Sequence, residues 1–558
     1  MKQKSSSNRY TFGNGYLKKG SLAQSVVVLW ASISPSAVLL LPSCMKETGI
    51  IIGVLTMLFA CLVLFMTQFV LMKSATLLCA DNYGNTLLRA ILYGGSTDTK
   101  EQTREENKKS SISGKIIAIF VNLPIFFAMA ITLPCFLIIW CSCIEQLIPP
   151  ISTNITSSGI SYNQILLMVF CAIIMFPFSL KKELQETRHI SWLSLIAGLL
   201  FAITVVQYYF CCGASLDRGK VIWWNSDIKL SSCMKMLTVS CFAFSNHENS
   251  PATAFELQNP TTNRILALSS TVSISSFALF SVITIFSYLT FGELTLQSVA
   301  LNYGNEGTLL VLSKICLSIS NLVACTLSLH AAISSLSNII IALKGDYCNH
   351  YDDMLFSQST SEDGYIGYSQ FSPIGTLCSS TNTYTCSSLS NIFENAEKHE
   401  YFVSLNDKDD CASSKNSSTS NSSIFNQPGN GFNRPNHVNC DKVRNYLAQN
   451  GERKHIDVQA SVGTKARTII VFLFLVSSIL LAANLQDLLL LVEVATGLFE
   501  TIICLIFPAL VYMKLFKHIF FCDKYLSRPI FILFTSICSL GCFTASILAI
   551  LNVDRTHK

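Results

Sequence analysis

The constraint that dominates this chain is a series of long apolar runs. A helix that crosses the hydrocarbon of a bilayer needs roughly 20 mostly apolar residues, because no water is there to satisfy backbone N–H and C=O groups. Runs of about that size lie at 22–42, 50–72, 115–143, 161–180, 190–212, 232–258, 265–291, 307–343, 466–484, 486–514 and 528–552. They predict an all-α integral membrane protein of about eleven helices. The run 232–258 turns polar halfway, and 307–343 is too long for one straight crossing. Composition agrees: 13% of the residues are charged, against about 25% in soluble domains. A cytosolic enzyme and a disordered chain are excluded by the runs, and a secreted disulfide scaffold by the size. The net charge of +5 is small for 558 residues and gives no argument for a nucleic-acid partner.

The runs divide the chain into a cytosolic tail (1–21), helices one to eight (22–343), a polar insert (344–464), helices nine to eleven (465–552) and a short C-terminal tail (553–558). The first run continues through Leu39, Leu40 and Leu41, longer than the apolar region of a signal peptide, so a retained first helix is expected. Lys and Arg concentrate in the N-terminal tail and in the loops near 181–189 and 514–528, which places those segments and the N-terminus in the cytosol. Asn154-Ile155-Thr156 is a glycosylation sequon in an outside loop, whereas the sequons at Asn416 and Asn421 fall on the cytosolic side. The insert is rich in Ser, Asn, Thr, Asp and Gly. It cannot bury enough apolar surface to offset ordering and reads as disordered, either a regulatory loop or a tolerated insertion. The segment 96–111 reads as a smaller cytosolic loop.

Most of the 22 Cys, among them Cys61, Cys135, Cys171, Cys316, Cys504 and Cys538, lie inside apolar runs and behave there as small apolar residues. Their spacing shows no zinc pattern, and no metal or cofactor is expected. A disulfide among Cys141, Cys143, Cys211, Cys212 and Cys233 is left open.

Two polar interruptions inside the spans carry the functional reading, since a broken membrane helix requires protein or a water-filled cavity around its freed backbone. In the first span, Trp30-Ala31-Ser32-Ile33-Ser34-Pro35-Ser36-Ala37 places a proline in mid-helix. Carbonyls near Ala31 and Ser32 and amides near Ser36 and Ala37 are then free to hold a zwitterion, unless Pro35 merely kinks the helix. In the sixth, Phe242-Ala243-Phe244-Ser245-Asn246-His247-Glu248-Asn249-Ser250-Pro251 is too polar for lipid. Either the helix ends at Ser245, or a short half-helix follows over Ala252–Leu257. Spans one and six are five apart, as a five-plus-five inverted repeat requires.

Phe242-Ala243-Phe244-x-x-His247, with Glu256-Leu257 nine residues on, resembles the sixth-helix signature of the amino acid/auxin permease family. That family includes sodium-coupled neutral and proton-coupled amino acid transporters. Leu41-Pro42-x-x-Met45-Lys46-x-Thr48-Gly49 resembles the end of its first helix, and Ile506-Phe507-Pro508-Ala509-Leu510-Val511-Tyr512-x-Lys514 the end of its tenth. The resemblance implies the broken-helix amino-acid-transporter fold and amino acid transport. The two breaks themselves make Ser32, Ser34, Pro35, Ser36, Ser245 and Asn246 substrate-binding candidates, and Phe242 and Phe244, one step from the second break, either line the substrate pocket or simply pack. This chain departs from the family's first-helix pattern by having Ala31, Pro35 and Ala37 where the pattern has Asn and two Gly. The missing Asn argues against sodium coupling and leaves Thr326 and Ser328 as weak sodium candidates.

Glu493 and Glu500 lie one heptad apart in the tenth span. Low-dielectric surroundings favour a neutral carboxyl, so each is a candidate proton carrier, with H+ favoured over Na+ as coupling ion. His247 is a gating candidate or a structural residue. Lys314 and Glu306 read as interfacial, and Asn122, Ser318, Ser320 and Asn321 as interhelical hydrogen-bonding residues or pathway residues. The reading is a secondary transporter moving a small amino acid by alternating access in a plasma membrane or an acidic internal compartment. The alternative is an amino-acid-binding sensor that signals through the insert. No nucleotide-binding loop is present, and a membrane enzyme has only Asn246-His247 to suggest it. The bilayer and the amino acid are the expected partners, with oligomeric state open.

Overall fold

The structure is a computed structural model that describes residues 20–33, 37–78, 80, 82–93, 104–148, 162–180, 188–212, 219–305, 307–344, 464–484, 487–516 and 528–556. Outside these fall Ser34, Pro35, Ser36, Asn154, Glu306, Asn416, Asn421 and all but the two end residues of the 344–464 insert. The chain separates into two compact units. One comprises 1–94, 108–366 and 455–558, and the architecture below is its own; the other, 95–107 and 367–454, falls almost wholly outside the described residues.

The first span is two helices, α1 (Leu22–Ser32) and α2 (Leu41–Thr48), the second entered through a 3-10 turn at Ala37–Leu40. Ser21 caps α1 by accepting from the Gln24 amide, and Pro42 sits in the first turn of α2, where a missing N–H costs nothing. The two halves are bent by 44°. Gly49, at φ 79°, turns the chain directly into α3 (Ile50–Leu77). A Cβ there would press at 3.3 Å on the backbone of Ile222, Trp223 and Asn225, so glycine is required twice over. After α3 come α4 (Tyr83–Tyr93), α5 (Arg104–Ile144), α6 (Tyr162–Ser179), α7 (Arg188–Cys212) and α8 (Leu230–Phe244). Then follow α9 (Ser250–Glu256), α10 (Thr262–Phe291), α11 (Thr308–Lys344), α12 (Thr464–Asn484), α13 (Leu488–Val494), α14 (Phe507–Leu515) and α15 (Arg528–Thr556).

Among the described residues, nine helical stretches are long and apolar enough to cross a membrane, ten with the bent pair α1–α2, and α8 is a shorter apolar helix. Burial is inverted relative to a soluble protein. Leu55, Leu62, Phe120, Phe170 and Leu540 face outward, while Gln68, Asn122, His247 and Asn321 are buried. Apolar side chains suit a lipid solvent, and polar ones survive only where neighbouring helices satisfy them. The protein is therefore an all-α, multi-pass membrane protein.

Packing carries the repeat that no sequence periodicity displays. The second-span helix α3 packs against both halves of the sixth span, α8 and α9. The seventh-span helix α10 packs against both halves of the first, α1 and α2, and α3 and α10 pack on each other. This reciprocity is what two five-helix repeats related by a two-fold axis produce.

Several expectations are corrected. Part of the polar segment 96–111 is helical, because α5 begins at Arg104 and runs unbroken through Pro124 and Pro134. The run 307–343 is one 37-residue helix, α11, about 55 Å long at roughly 1.5 Å per residue. Cys141, Cys143, Cys211 and Cys233 are free thiols. Lys314 is not interfacial but fully buried. Its ammonium is satisfied by the Gln146 side chain and by the carbonyls of Tyr303 (2.6 Å) and Gly304 (3.2 Å), which ties the segment after α10 onto α11.

Candidate functional site

Helix α8 stops at Phe244, where the Ser245 amide reaches only the Phe242 carbonyl, and Pro251 starts α9 afresh within its first turn. Between them the chain from Ser245 to Asn249 is non-helical, with Asn246 and His247 among the most buried polar residues. Such a stretch persists only if its polar groups find partners, and most of them come from α3. The Gln68 amide donates to Asn246 Oδ1 at 2.6 Å and to Ser250 Oγ at 3.2 Å. Its carbonyl accepts from Ser269 Oγ of α10 at 3.0 Å. One side chain thus ties together the second span, the sixth-span break and the seventh span. Beside it, Thr67 Oγ1 lies 2.9 Å from His247 Nε2.

The tenth span supplies the acid. Between α13 and α14 it follows π-helical stretches at Ala495–Glu500 and Ile502–Ile506, the widened turns that occur often at functional sites. The Thr501 hydroxyl bonds the Thr496 carbonyl five residues back, and Tyr83 of α4 satisfies the Ile503 carbonyl at 2.6 Å. The π turns change the angular phase, so Glu493 and Glu500 do not share one environment as the heptad spacing predicts. Glu500 is buried, accepts from Thr132 of α5 at 3.3 Å, and has Ser245 of the sixth-span break as its other hydrogen-bonding neighbour. It lies within electrostatic reach of Glu248 in the sixth-span break. Glu493 instead lies within electrostatic reach of Lys235 and Glu47.

At the end of the molecule where α1 begins, the Gln258 amide bonds the Gly20 carbonyl at 2.9 Å, joining the tip of α9 to the start of α1. A cleft there is lined by Gln24, Val28 and Ser32 of α1, by Asn249, Thr253 and Glu256 around α9, and by Leu327 of α11. At the opposite end α2 and α8 are clamped by the Lys235–Glu47 ion pair at 2.8 Å, and Asn225 holds the Glu47 carbonyl at 2.9 Å. The pair is partly exposed, 26% and 40%, so its coupling should be near that of surface pairs, about 0.2–1 kcal/mol. A double-mutant cycle on thermal unfolding with Glu47→Lys, Lys235→Glu and the reversed pair should recover that coupling; strict additivity would refute the clamp.

The remaining candidates fall into place around this centre. Ser32 lines the cleft, although its hydroxyl bonds the Leu29 carbonyl at 2.7 Å. Ser245 Oγ lies 3.2 Å from Cys504 Sγ. Phe242 packs on Phe136, and Phe244 stacks on Phe280 with centroids 5.4 Å apart, next to Trp30. Thr326 spends its hydroxyl on the Leu322 carbonyl, and Ser328 is buried one residue beyond the cleft-lining Leu327. Asn321 bonds the Phe136 carbonyl at 2.7 Å and Asn122 accepts from Asn338 at 3.1 Å, both interhelical ties. The sequence reading missed Thr67, Gln68, Thr132, Ser269 and the role of Glu248. A signal existed for Gln68, the lone amide in the 28-residue apolar helix α3.

A model of the family described as transmembrane amino acid transporter protein matches residues 18–552. A Toxoplasma gondii protein with a provisional amino acid transporter name is 25% identical over 59% of this chain, but the match spans only 42% of that protein's length. Vacuolar amino acid transporter 5 of Schizosaccharomyces pombe is 23% identical over 60% of this chain and 73% of its own length. Vacuolar amino acid transporter 7 of Saccharomyces cerevisiae is 28% identical over 35% of this chain and 41% of its own. A solved sodium-coupled sialic acid symporter aligns over 97% of this chain and 93% of its own at 12% identity, but its TM-score of 0.40 is too low to bear on the fold. With the family model running from the start of the first span to the end of the last, over helices broken at spans one and six, the chain belongs to the transmembrane amino acid transporter family.

Proposed function

We propose that this protein is a secondary active transporter that moves an amino acid together with a proton, by alternating access around the breaks in spans one and six. The observation that carries the reading is the buried break Ser245–Asn249, held by Gln68 and set beside the buried carboxyl of Glu500. Unwound backbone offers donors and acceptors suited to the charged ends of an amino acid. A carboxyl buried among membrane helices is suited to taking and releasing a proton. The cleft on one side and the Lys235–Glu47 clamp on the other support a carrier that opens to one side at a time. Ala31 in place of the family's Asn supports proton over sodium coupling. The vacuolar names of two relatives support an acidic internal compartment rather than the plasma membrane.

Reconstituted protein and a panel of radiolabelled amino acids, with sodium and pH varied independently, test the reading. Uptake should respond to an imposed pH gradient and not to sodium. Binding without flux would replace transport by sensing, and sodium-dependent flux would overturn the coupling ion.

A further inference from the structure

We propose that Cys241, Cys538 and Cys542 form a three-thiol site for a trivalent thiophilic metalloid, which on binding ties α8 to α15. Cys538 and Cys542 stand one turn apart on α15, and the Cys241 sulfur of α8 lies 3.7 Å from one and 3.8 Å from the other. All three sulfurs fall within 4.8 Å of one another, and all three residues are buried. A tetrahedral ion bound by sulfur at about 2.3 Å holds its ligands roughly 3.8 Å apart, and a pyramidal trivalent centre, with narrower angles, draws them slightly closer. The cluster is therefore near the spacing of an assembled site, and small side-chain rotations close it on the centre.

Charge selects among thiophilic ions. Soft thiolates suit Cu(I) and Zn(II), but three thiolates leave those complexes with net charges of about −2 and −1, costly inside a membrane. Among the described residues, the groups placed against Cys542 include the hydroxyls of Thr238 and Thr501 and the carboxyl of Glu500, none of them a cation. A trivalent centre gives a neutral complex. The step is an exchange without redox change: three As–O bonds of arsenous acid and three S–H bonds break, three As–S bonds form, and the protons leave in three waters. The bridge would sit just before the break at Ser245 and fix α8 against the last span. Inhibition of transport rests on the function proposed above, whereas binding does not.

Full-length protein in nanodiscs, equilibrated with arsenite and excess glutathione as a monothiol competitor and then gel-filtered, should retain one arsenic per chain. Cys241→Ala, Cys538→Ala and Cys542→Ala should each weaken retention at least about tenfold, roughly 1.4 kcal/mol. X-ray absorption of the loaded wild type should show three sulfur neighbours, a readout that stands even if a variant fails to fold. No retained arsenic, equal retention in all three variants, or a two-sulfur shell would overturn the site. Stronger retention of Zn2+ or Cd2+ than of arsenite under the same conditions would overturn the assignment of the ion.

Discussion

Glu500→Gln should abolish accumulation of substrate driven by a pH gradient while leaving exchange of substrate across the membrane intact. The glutamine keeps the shape of the neutral acid and can still accept from Thr132, but it cannot release a proton. An imposed gradient of one pH unit is worth about 1.36 kcal/mol and supports roughly tenfold accumulation when one proton moves with each substrate. In the variant that ratio should fall to one, because the empty carrier no longer returns with a different proton load. Glu493→Gln should retain accumulation, since Glu493 sits toward the Lys235–Glu47 clamp rather than the break. Unchanged pH dependence in both variants would remove the carboxyl mechanism altogether.

Gln68→Leu should be the most damaging change outside the carboxyls. It removes hydrogen bonds to Asn246, Ser250 and Ser269 in one step and leaves three buried polar groups without their α3 partner. Ser250 still donates to the Asn246 carbonyl, so two groups are stranded at about 1–3 kcal/mol each, and the loss should exceed about 2 kcal/mol in all, a fall of about thirtyfold or more in transport. Thr67→Val removes the contact to His247 and the hydroxyl's bond to the Val63 and Leu64 carbonyls of its own helix, which keep their place in the helical ladder, and should cost about 1 kcal/mol. Transport assayed with thermal unfolding on the same preparations separates a misfolded bundle from a folded one with a collapsed break. A Gln68→Leu protein with wild-type transport would show that the break is supported elsewhere.

Much of the architecture could be read from residues because the bilayer imposes length and polarity so strictly. The spans and the polar run from Ser245 to Pro251 are local signals, and each falls where a helix ends or begins. What was not legible depends on which residues meet. Gln68 belongs to the site only because α3 crosses the sixth-span break, and nothing in its neighbours along the chain says so. Glu493 and Glu500 look equivalent on a regular helix, but two π turns give them different surroundings. Lys314 looks interfacial by position, yet carbonyls more than eight residues away bury it. Cys241, Cys538 and Cys542 read as three apolar fillers until two helices almost 300 residues apart bring their sulfurs together.

The central claim, that amino acid and proton cross together, is tested most directly by proteoliposomes that carry a pH-sensitive dye in the lumen and no imposed gradient. Adding a transported amino acid outside should acidify the lumen in step with its uptake, and Glu500→Gln should erase the acidification. Uptake with a constant luminal pH would contradict the account.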